Sequence, residues 1–175
     1  ECPDLFPLGA QDVLICCPQG LPRESTRFLN TYPCVWFAGK FDYTTASYSH
    51  GAANEVDVGF EFYAPQTTLS ADGRRLLFGW MGVPDGEVML QPTRESGWIH
   101  QMTCPRELTW QQDQLWQRPA RELMQLRGNH HHWQGPGDSA PVLDADSTEV
   151  IVRLTGDITL NFADTLMLDC QETGL

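Results

Sequence analysis

Short apolar segments separated by turn residues occupy most of the first two thirds of the chain. Residues 12–17 form an apolar run that ends in a Pro-Gln-Gly sequence, which is typical of a buried strand followed by a turn. Residues 32–41 are rich in aromatic side chains and predict a second strand, which we expect to end in a hairpin turn near residues 39–40. The pattern indicates a β-rich chain.

The clearest hairpin signal lies between residues 67 and 81. An Asp-Gly pair separates apolar segments at residues 67–69 and 75–81, and this pair is one of the strongest short signals for a hairpin. Just upstream, Pro65 follows three aromatic residues and predicts that their strand breaks there, because proline cannot donate a ladder hydrogen bond. Further strands are predicted at residues 97–104, 107–110 and 114–117. Short strands at regular spacing indicate a sandwich, a barrel or a propeller, and alternation alone does not choose among them.

The pattern changes after residue 118. Residues 119–127 carry an early proline and two leucines three positions apart, which predicts a short helix. Residues 128–141 are polar and rich in glycine, proline and histidine, so we interpret them as a linker, and its three consecutive histidines, residues 130–132, as a solvated tract rather than a metal site. Strands resume at residues 149–154, 158–162 and 166–170, as expected for the opening of a β-sandwich.

Composition and charge exclude several classes of partner. The 175 residues are 41% apolar and 19% charged, as in an ordinary globular protein. Eleven basic against 23 acidic residues give a net charge of −12, which argues against nucleic acid or an anionic membrane surface as a partner. No apolar run approaches the roughly 18 residues that a membrane-spanning helix needs.

Six cysteines are present, and none forms a Cys-x-x-Cys pair, so their spacing does not predict a zinc site. A chain of this length can bury a core without disulfides, and we expect reduced thiols. The adjacent Cys16 and Cys17 lie in an apolar run and are interpreted as buried strand residues.

Four short motifs could carry chemistry. They are Glu-Cys-Pro-Asp at residues 1–4, Phe-Glu-Phe-Tyr-Ala-Pro-Gln at 60–66, Gly-Trp-Met-Gly at 79–82 and Pro-Arg-Glu-Leu at 105–108. Taken singly, each has an ordinary structural interpretation as a terminal loop, an aromatic strand, a packed tryptophan or a polar turn. Glycines beside a tryptophan also allow another surface to approach, and indole faces commonly stack on sugar rings.

Together and in this order, the motifs resemble family 32 of the glycoside hydrolases, the invertase and sucrose-6-phosphate hydrolase family. The resemblance covers residues 1 to about 127. Within the family, the chain resembles the bacterial cytoplasmic enzymes most. The resemblance implies an all-β fold, a five-bladed β-propeller followed by a β-sandwich. We therefore expect the chain to hold about the last two blades and the first strands of the sandwich. The corresponding segments are the propeller part at residues 1–117, a helix and linker at 118–145, and the start of the sandwich at 146–175.

The resemblance also implies roles for individual residues. Glu1 matches the family's general acid/base, and Tyr63 and Trp80 match residues that line the sugar pocket. The expected supporting residues are Asp4, Glu61 and Gln66; the family often has aspartate where Glu61 stands. His100, Arg106 and Glu107 match a motif to which we assign a structural role.

The family's nucleophilic aspartate precedes the first residue of this chain, so we expect a fragment that lacks the amino-terminal part and is inactive alone. Its expected partners are that missing half or a second copy of itself.

The function implied by the resemblance is hydrolysis of the β-fructofuranoside bond of sucrose 6-phosphate or sucrose, by a retaining two-carboxylate mechanism, in the cytoplasm and without a metal or other cofactor. A non-catalytic carbohydrate-binding or assembly role is the alternative. The sequence leaves open the choice among sucrose 6-phosphate, sucrose and a fructan, and which arginines would hold a phosphate. The arginine candidates are Arg23, Arg27, Arg74, Arg75, Arg94 and Arg106.

Overall fold

The computed structural model describes residues 1–59, 62–82, 91, 93–130, 132–135, 149, 151, 158–162 and 166–170. The chain divides into two compact units, Glu1–Leu126 and Arg127–Leu175. All twelve strands in the described residues pair antiparallel. The expected all-β class is therefore confirmed for the described part of the chain.

The first sheet of the first unit has the strand order β1-β2-β3-β4, with the short β5 paired to the start of β3. Its strands are β1 (Asp4–Leu8), β2 (Gln11–Cys16), β3 (Val35–Asp42), β4 (Ser47–His50) and β5 (Asn54–Glu55). The strand predicted at residues 12–17 is confirmed as β2. The aromatic strand predicted at 32–41 corresponds to β3, which starts three residues later.

The second sheet has the order β10-β9-β7-β6, with β8 paired to the end of β7. Its strands are β6 (Phe62–Leu69), β7 (Arg75–Met81), β8 (Gln101–Met102), β9 (Arg106–Gln111) and β10 (Gln114–Pro119). The predicted hairpin is confirmed: in the turn between β6 and β7 the Gly73 amide donates to the Ser70 carbonyl at 2.9 Å, and Gly73 has a φ of 85°. Such a positive φ suits glycine because it has no Cβ.

The turn predicted near residues 39–40 was wrong. Gly39 and Lys40 lie inside β3, and the chain reverses at residues 43–46 instead. A Cβ at Gly39 would lie 2.0 Å from the backbone oxygen of Ser49. Glycine is therefore needed because β4 approaches β3 closely at this position, and not because the chain turns there.

Two further strand predictions need correction. The strand with Pro65 does not break but continues to Leu69, with a register shift between Tyr63 and Gln66, and a bulge of this kind tolerates a residue without an amide hydrogen. Only β8 forms in the segment predicted as a strand at residues 97–104. It follows a 3-10 helix at Arg94–Ser96 that ends at Gly97 with a φ of 85°.

The hydrophobic core lies between the two sheets. The side chains of Val13 and Ile15 in β2 alternate toward it and are fully buried, as is Leu77 in β7. Leu108 of β9 and Phe62 of β6 join the same cluster. The period-2 pattern that predicts the strands also selects the faces that pack together.

A polar network around Arg106 joins the same two sheets beside this core. The Arg106 guanidinium donates to Asp57, which follows β5, at 2.6 Å and to Gln117 of β10 at 3.1 Å. It also lies 5.0 Å from the centre of the Phe62 ring. These contacts are consistent with the structural role assigned to this motif.

A second network surrounds Arg74 in the turn between β6 and β7. Its guanidinium contacts Asp72 in the same turn at 2.8 Å, Glu107 of β9 at 3.2 Å, and Glu122. Glu122 belongs to a 3-10 helix at Arg121–Leu126, which occupies the segment predicted as a short helix. One arginine thus holds the turn, β9 and this helix together.

In the second unit, the structure describes an antiparallel hairpin of β11 (Ile158–Phe162) and β12 (Leu166–Cys170), which confirms two of the three predicted strands. The third, at residues 149–154, lies mostly outside the described residues. Arg127 and Glu149 form an ion pair of 2.6 Å within this unit. No helix in the described ranges has the length and apolar character needed to cross a membrane.

We expect Leu77→Ala to destabilise the first unit by about 2–5 kcal/mol, because it leaves a cavity in a fully buried position. The measurement is the midpoint of urea unfolding, monitored by tryptophan fluorescence. The matched control is Leu69→Ala, in the same hairpin but 61% exposed, which should shift the midpoint little. Equal shifts for the two variants would contradict the placement of the core.

The Arg74 network also predicts a pH dependence of stability. Hydrogen bonds from the Ser70 hydroxyl and from Arg74 lower the pKa of Asp72, and a hydrogen bond from Arg74 lowers the pKa of Glu122. A carboxyl whose folded pKa is depressed adds stability above its unfolded pKa, about 4, and loses it as the pH falls toward the folded value. Arg74→Met should therefore lower the urea midpoint at pH 7, and the difference from wild type should narrow toward pH 3.

The control for this measurement is Arg23→Met, an exposed arginine in the segment between β2 and β3. Its midpoint should follow that of the wild type across the pH range. A gap between Arg74→Met and wild type that stays constant down to pH 3 would contradict the network's role.

Candidate functional site

The backbone of Glu1 is held in place by Cys17, at the end of β2. The α-amino group of Glu1 donates to the Cys17 carbonyl at 2.7 Å, and the Cys17 amide donates to the Glu1 carbonyl at 2.8 Å. This reciprocal pair lies one residue out of the register of the β1–β2 hairpin, in which Asp4 pairs with Ile15. Cys2, which lies between Glu1 and Asp4 in the chain, adopts a φ of 49°. The backbone of Glu1 is thus fixed relative to the first sheet.

The Glu1 carboxyl group receives hydrogen bonds on both oxygens. The Tyr63 hydroxyl donates to Oε2 at 2.6 Å, and the Gln19 side-chain amide donates to Oε1 at 3.1 Å. Tyr63 is only 4% exposed, and its pKa is raised by burial and by the hydrogen bond to Glu1. The phenol is therefore protonated at neutral pH and remains a donor to the carboxylate.

The bulge in β6 places Tyr63 beside Glu1. Ala64 has a φ of 46°, and the Pro65 side chain that follows is fully buried. Thr67, just beyond the bulge, donates its amide to the Asp4 carboxylate at 2.6 Å, which ties β6 to the start of β1. The Gln66 side-chain amide lies 3.4 Å from the Cys2 carbonyl. Asp4 and Gln66 thus join the strand that carries Tyr63 to the segment that carries Glu1.

Aromatic rings extend from Tyr63 in two directions. The Tyr32 ring lies 5.8 Å from it on one side, and the Trp80 indole of β7 lies 6.4 Å away in an edge-to-face arrangement on the other. The His100 ring lies 4.9 Å from Trp80, also edge to face. Trp80 is half-buried, so part of this residue is open to solvent. Such an arrangement can hold a sugar ring by stacking while Glu1 exchanges a proton with it.

The glycines that flank Trp80 make room for rings that are already present. A Cβ at Gly79 would lie 2.1 Å from the Phe62 ring, and one at Gly82 would lie 2.5 Å from the Trp80 indole itself. Their absence of side chains is therefore explained by packing within the second sheet.

The structure brings together five of the six predicted site residues, namely Glu1, Asp4, Tyr63, Gln66 and Trp80. The sixth, Glu61, lies outside the described residues. Two further residues of the site were not predicted: Gln19 has the sequence context of a turn, and Tyr32 that of an aromatic strand. No local signal marks either residue, because both reach the site through the long segment between β2 and β3.

Four of the six candidate phosphate arginines have partners within the protein. Arg74 and Arg106 bind carboxylates, as described above. Arg27 lies over the Phe28 ring and donates to the Ala53 carbonyl, and Arg75 lies over the Phe6 ring. The other two candidates, Arg23 and Arg94, are exposed.

Two cysteines, Cys2 and Cys17, lie next to Glu1. The five cysteines whose side chains the structure describes are free, as expected: Cys2, Cys16, Cys17, Cys34 and Cys104. A hydrogen bond from the buried Cys34 lowers the pKa of Cys17, whose backbone pairs with Glu1, to about 7, and the same contact raises the pKa of Cys34. Among the described residues, no group of histidine, cysteine and acidic side chains could hold a metal ion.

Comparison with known proteins gives a consistent picture. The model of the glycosyl hydrolases family 32 N-terminal domain matches residues 1–119. The sucrose-6-phosphate hydrolases of Salmonella typhimurium and Klebsiella pneumoniae are each 56% identical to this chain over its whole length, and the chain spans 37% of each of them.

Solved structures agree with the sequence comparison. The GH32 β-fructofuranosidase of Bombyx mori is similar with a TM-score of 0.69 and 33% identity, covering 75% of this chain and 28% of that protein. The sucrose-6-phosphate hydrolase of Lactobacillus gasseri is similar with a TM-score of 0.67 and 30% identity, covering 74% of this chain and 26% of that protein. The chain spans little more than a third of its curated relatives, and it belongs to glycosyl hydrolase family 32.

Proposed function

We propose that this chain is part of a β-fructosidase that hydrolyses sucrose 6-phosphate or sucrose, with Glu1 as general acid/base. One observation carries the proposal: the Tyr63 hydroxyl donates to the Glu1 carboxyl group at 2.6 Å, and the ring of the half-buried Trp80 lies 6.4 Å from the Tyr63 ring. Names of relatives that are 56% identical support sucrose 6-phosphate as the substrate. Exposed Arg23 and Arg94 are the candidates for meeting its phosphate.

The reaction proceeds in two steps. In the first, a carboxylate nucleophile bonds to the anomeric carbon of the fructosyl group, the bond to the glucosyl oxygen breaks, and Glu1 delivers its proton to that oxygen. In the second, Glu1 takes a proton from water while the water oxygen bonds to the anomeric carbon and the nucleophile departs. Glu1 is then protonated again, and fructose is released with its anomeric configuration retained.

Tyr63 and Trp80 have supporting tasks in this scheme. The Tyr63 hydroxyl orients the Glu1 carboxyl group, which must point at the glucosyl oxygen in the first step and at water in the second. Trp80 offers part of its indole to a sugar ring. Asp4 and Gln66 hold the β6 bulge against the start of β1, and so keep Tyr63 within reach of Glu1.

The nucleophile is proposed to come from residues that precede this chain. Retaining glycosidases place their two carboxyl groups about 5–5.5 Å apart. Asp4, the carboxylate nearest to Glu1 in sequence, already accepts a 2.6 Å hydrogen bond from the Thr67 backbone and serves the bulge instead. The partner that completes the site is then the amino-terminal half of the same enzyme. A second copy of this chain, the other expected partner, brings no nucleophile.

We also propose a propeller architecture and a cytoplasmic location for this chain. The two sheets of the first unit are proposed to be the last two blades of a five-bladed propeller, and the β11–β12 hairpin the opening of a sandwich. The free cysteines support a reducing compartment, the cytoplasm.

Replacing the acid/base should produce a characteristic kinetic defect. In the enzyme with its complete catalytic domain, Glu1→Ala should lower kcat/KM for sucrose 6-phosphate about 10²–10⁴-fold, because the glucosyl oxygen then departs without a proton. With β-fructosyl fluoride, whose fluoride departs without a proton from Glu1, added azide should raise the turnover of Glu1→Ala and yield β-fructosyl azide, because this anion attacks the fructosyl-enzyme without a base. The rate and the product are followed by chromatography.

The control for this experiment is Glu95→Ala, an exposed glutamate of the 3-10 helix at Arg94–Ser96, which should leave the kinetics unchanged. Wild-type activity of Glu1→Ala would refute the assignment of Glu1. A large loss without any azide product would also argue against a role as acid/base.

We further expect the isolated 175-residue chain to release no measurable glucose 6-phosphate and fructose. When only one carboxyl group of a cooperating pair is present, the rate falls by orders of magnitude, because neither step can proceed without the nucleophile. The assay compares equal concentrations of the chain and of the enzyme with its complete catalytic domain. Release by the chain that Glu1→Ala abolishes would contradict the prediction.

A further inference from the structure

We infer that Gln19 is a positioning residue for the acid/base, presenting its amide to the Glu1 carboxyl group in both protonation states. The inference rests on the proposed function of Glu1. Gln19 lies two residues beyond Cys17, whose backbone pairs with Glu1, and its Nε2 donates to Glu1 Oε1 at 3.1 Å. The family resemblance assigned no role to this residue.

The reaction sets a requirement on the neighbours of Glu1. Its carboxyl group is an acid at the start of the first step and a carboxylate at the start of the second. A carboxylate accepts hydrogen bonds on both oxygens, whereas a carboxylic acid has one oxygen that must donate. A neighbour that can only donate, such as lysine, stabilises the ionised form alone.

A glutamine amide meets this requirement by rotation. Its NH₂ group donates to the carboxylate, and a half-turn about the terminal bond presents its carbonyl oxygen, which accepts from the protonated acid. The Tyr63 hydroxyl on the other oxygen can likewise donate or accept. Gln19 is exposed at the surface of the site, so its amide has room to turn.

Other titratable groups near Glu1 must be held constant in any test. Tyr63 contacts the carboxyl group directly, Cys17 pairs with the backbone of Glu1, and Cys2 follows Glu1 in the chain. The substitutions below leave all of these groups in place.

The first test compares two leaving groups in the enzyme with its complete catalytic domain. Gln19→Leu should lower kcat/KM for sucrose 6-phosphate about 10–100-fold, the effect of one hydrogen bond to a charged group. It should lower kcat/KM for β-fructosyl fluoride less than about threefold, because fluoride departs without a proton from Glu1. Gln114→Leu, at an exposed position in β10, is the control and should change neither value.

The second test adds charge at the same position. Gln19→Lys should move the alkaline limb of the kcat/KM profile for sucrose 6-phosphate to lower pH, because a cation favours the carboxylate, and Gln19→Glu should move it to higher pH. All variants use the same substrate, so titration of its phosphate affects each profile equally. If Gln19→Leu does not fold, this second test still decides whether Gln19 acts on the Glu1 carboxyl group.

The outcomes separate this inference from the proposed function. Suppose that Glu1→Ala abolishes activity. Equal effects of Gln19→Leu on both leaving groups would then overturn the role of Gln19 alone. An alkaline limb that neither charged variant moves would do the same. Full activity of Glu1→Ala would overturn both. Selective loss with the poor leaving group, accompanied by opposite shifts for lysine and glutamate, is the expected result.

Discussion

The hydrogen bond between the Tyr63 hydroxyl and the Glu1 carboxyl group joins the two sheets at the candidate site. Glu1 belongs to the first sheet through its backbone pairing with Cys17, and Tyr63 belongs to the second through β6. The bond forms only if both sheets are held in a fixed relation. Burial of Tyr63 favours it, because a phenol that is only 4% exposed has few competing water partners.

Much of the first unit serves to maintain that relation. Val13, Ile15 and Leu77 form a buried layer between the sheets, and Arg106 adds a polar link to Asp57 at its side. Apolar burial supplies most of the stabilisation, while the arginine specifies how the sheets align, because its donors match partners at fixed positions. The Asp4–Thr67 contact then adjusts the alignment locally, at the bulge.

The candidate site departs from regular structure where its chemistry is proposed to occur. Cys2, Ala64 and His100 all have positive φ angles, and each lies next to or within the group of contacting side chains. Left-handed backbone is costly for residues that carry a Cβ and persists where surrounding contacts compensate for it. The bulge in β6 has the same character, because it sacrifices ladder hydrogen bonds and redirects Tyr63 toward Glu1.

The sequence by itself determined the elements whose cause is local. Alternating apolar residues predicted β2, an Asp-Gly pair predicted the turn between β6 and β7, and the motif order indicated the family and five side chains of the candidate site. Tertiary structure decided what depends on distant partners. Gly39 looked like a turn but gives space to β4, and Pro65 looked like a strand end but lies in a bulge. Gln19 reached Glu1 across 18 positions. A period of two residues is visible within a few neighbours, whereas these contacts depend on how the two sheets meet.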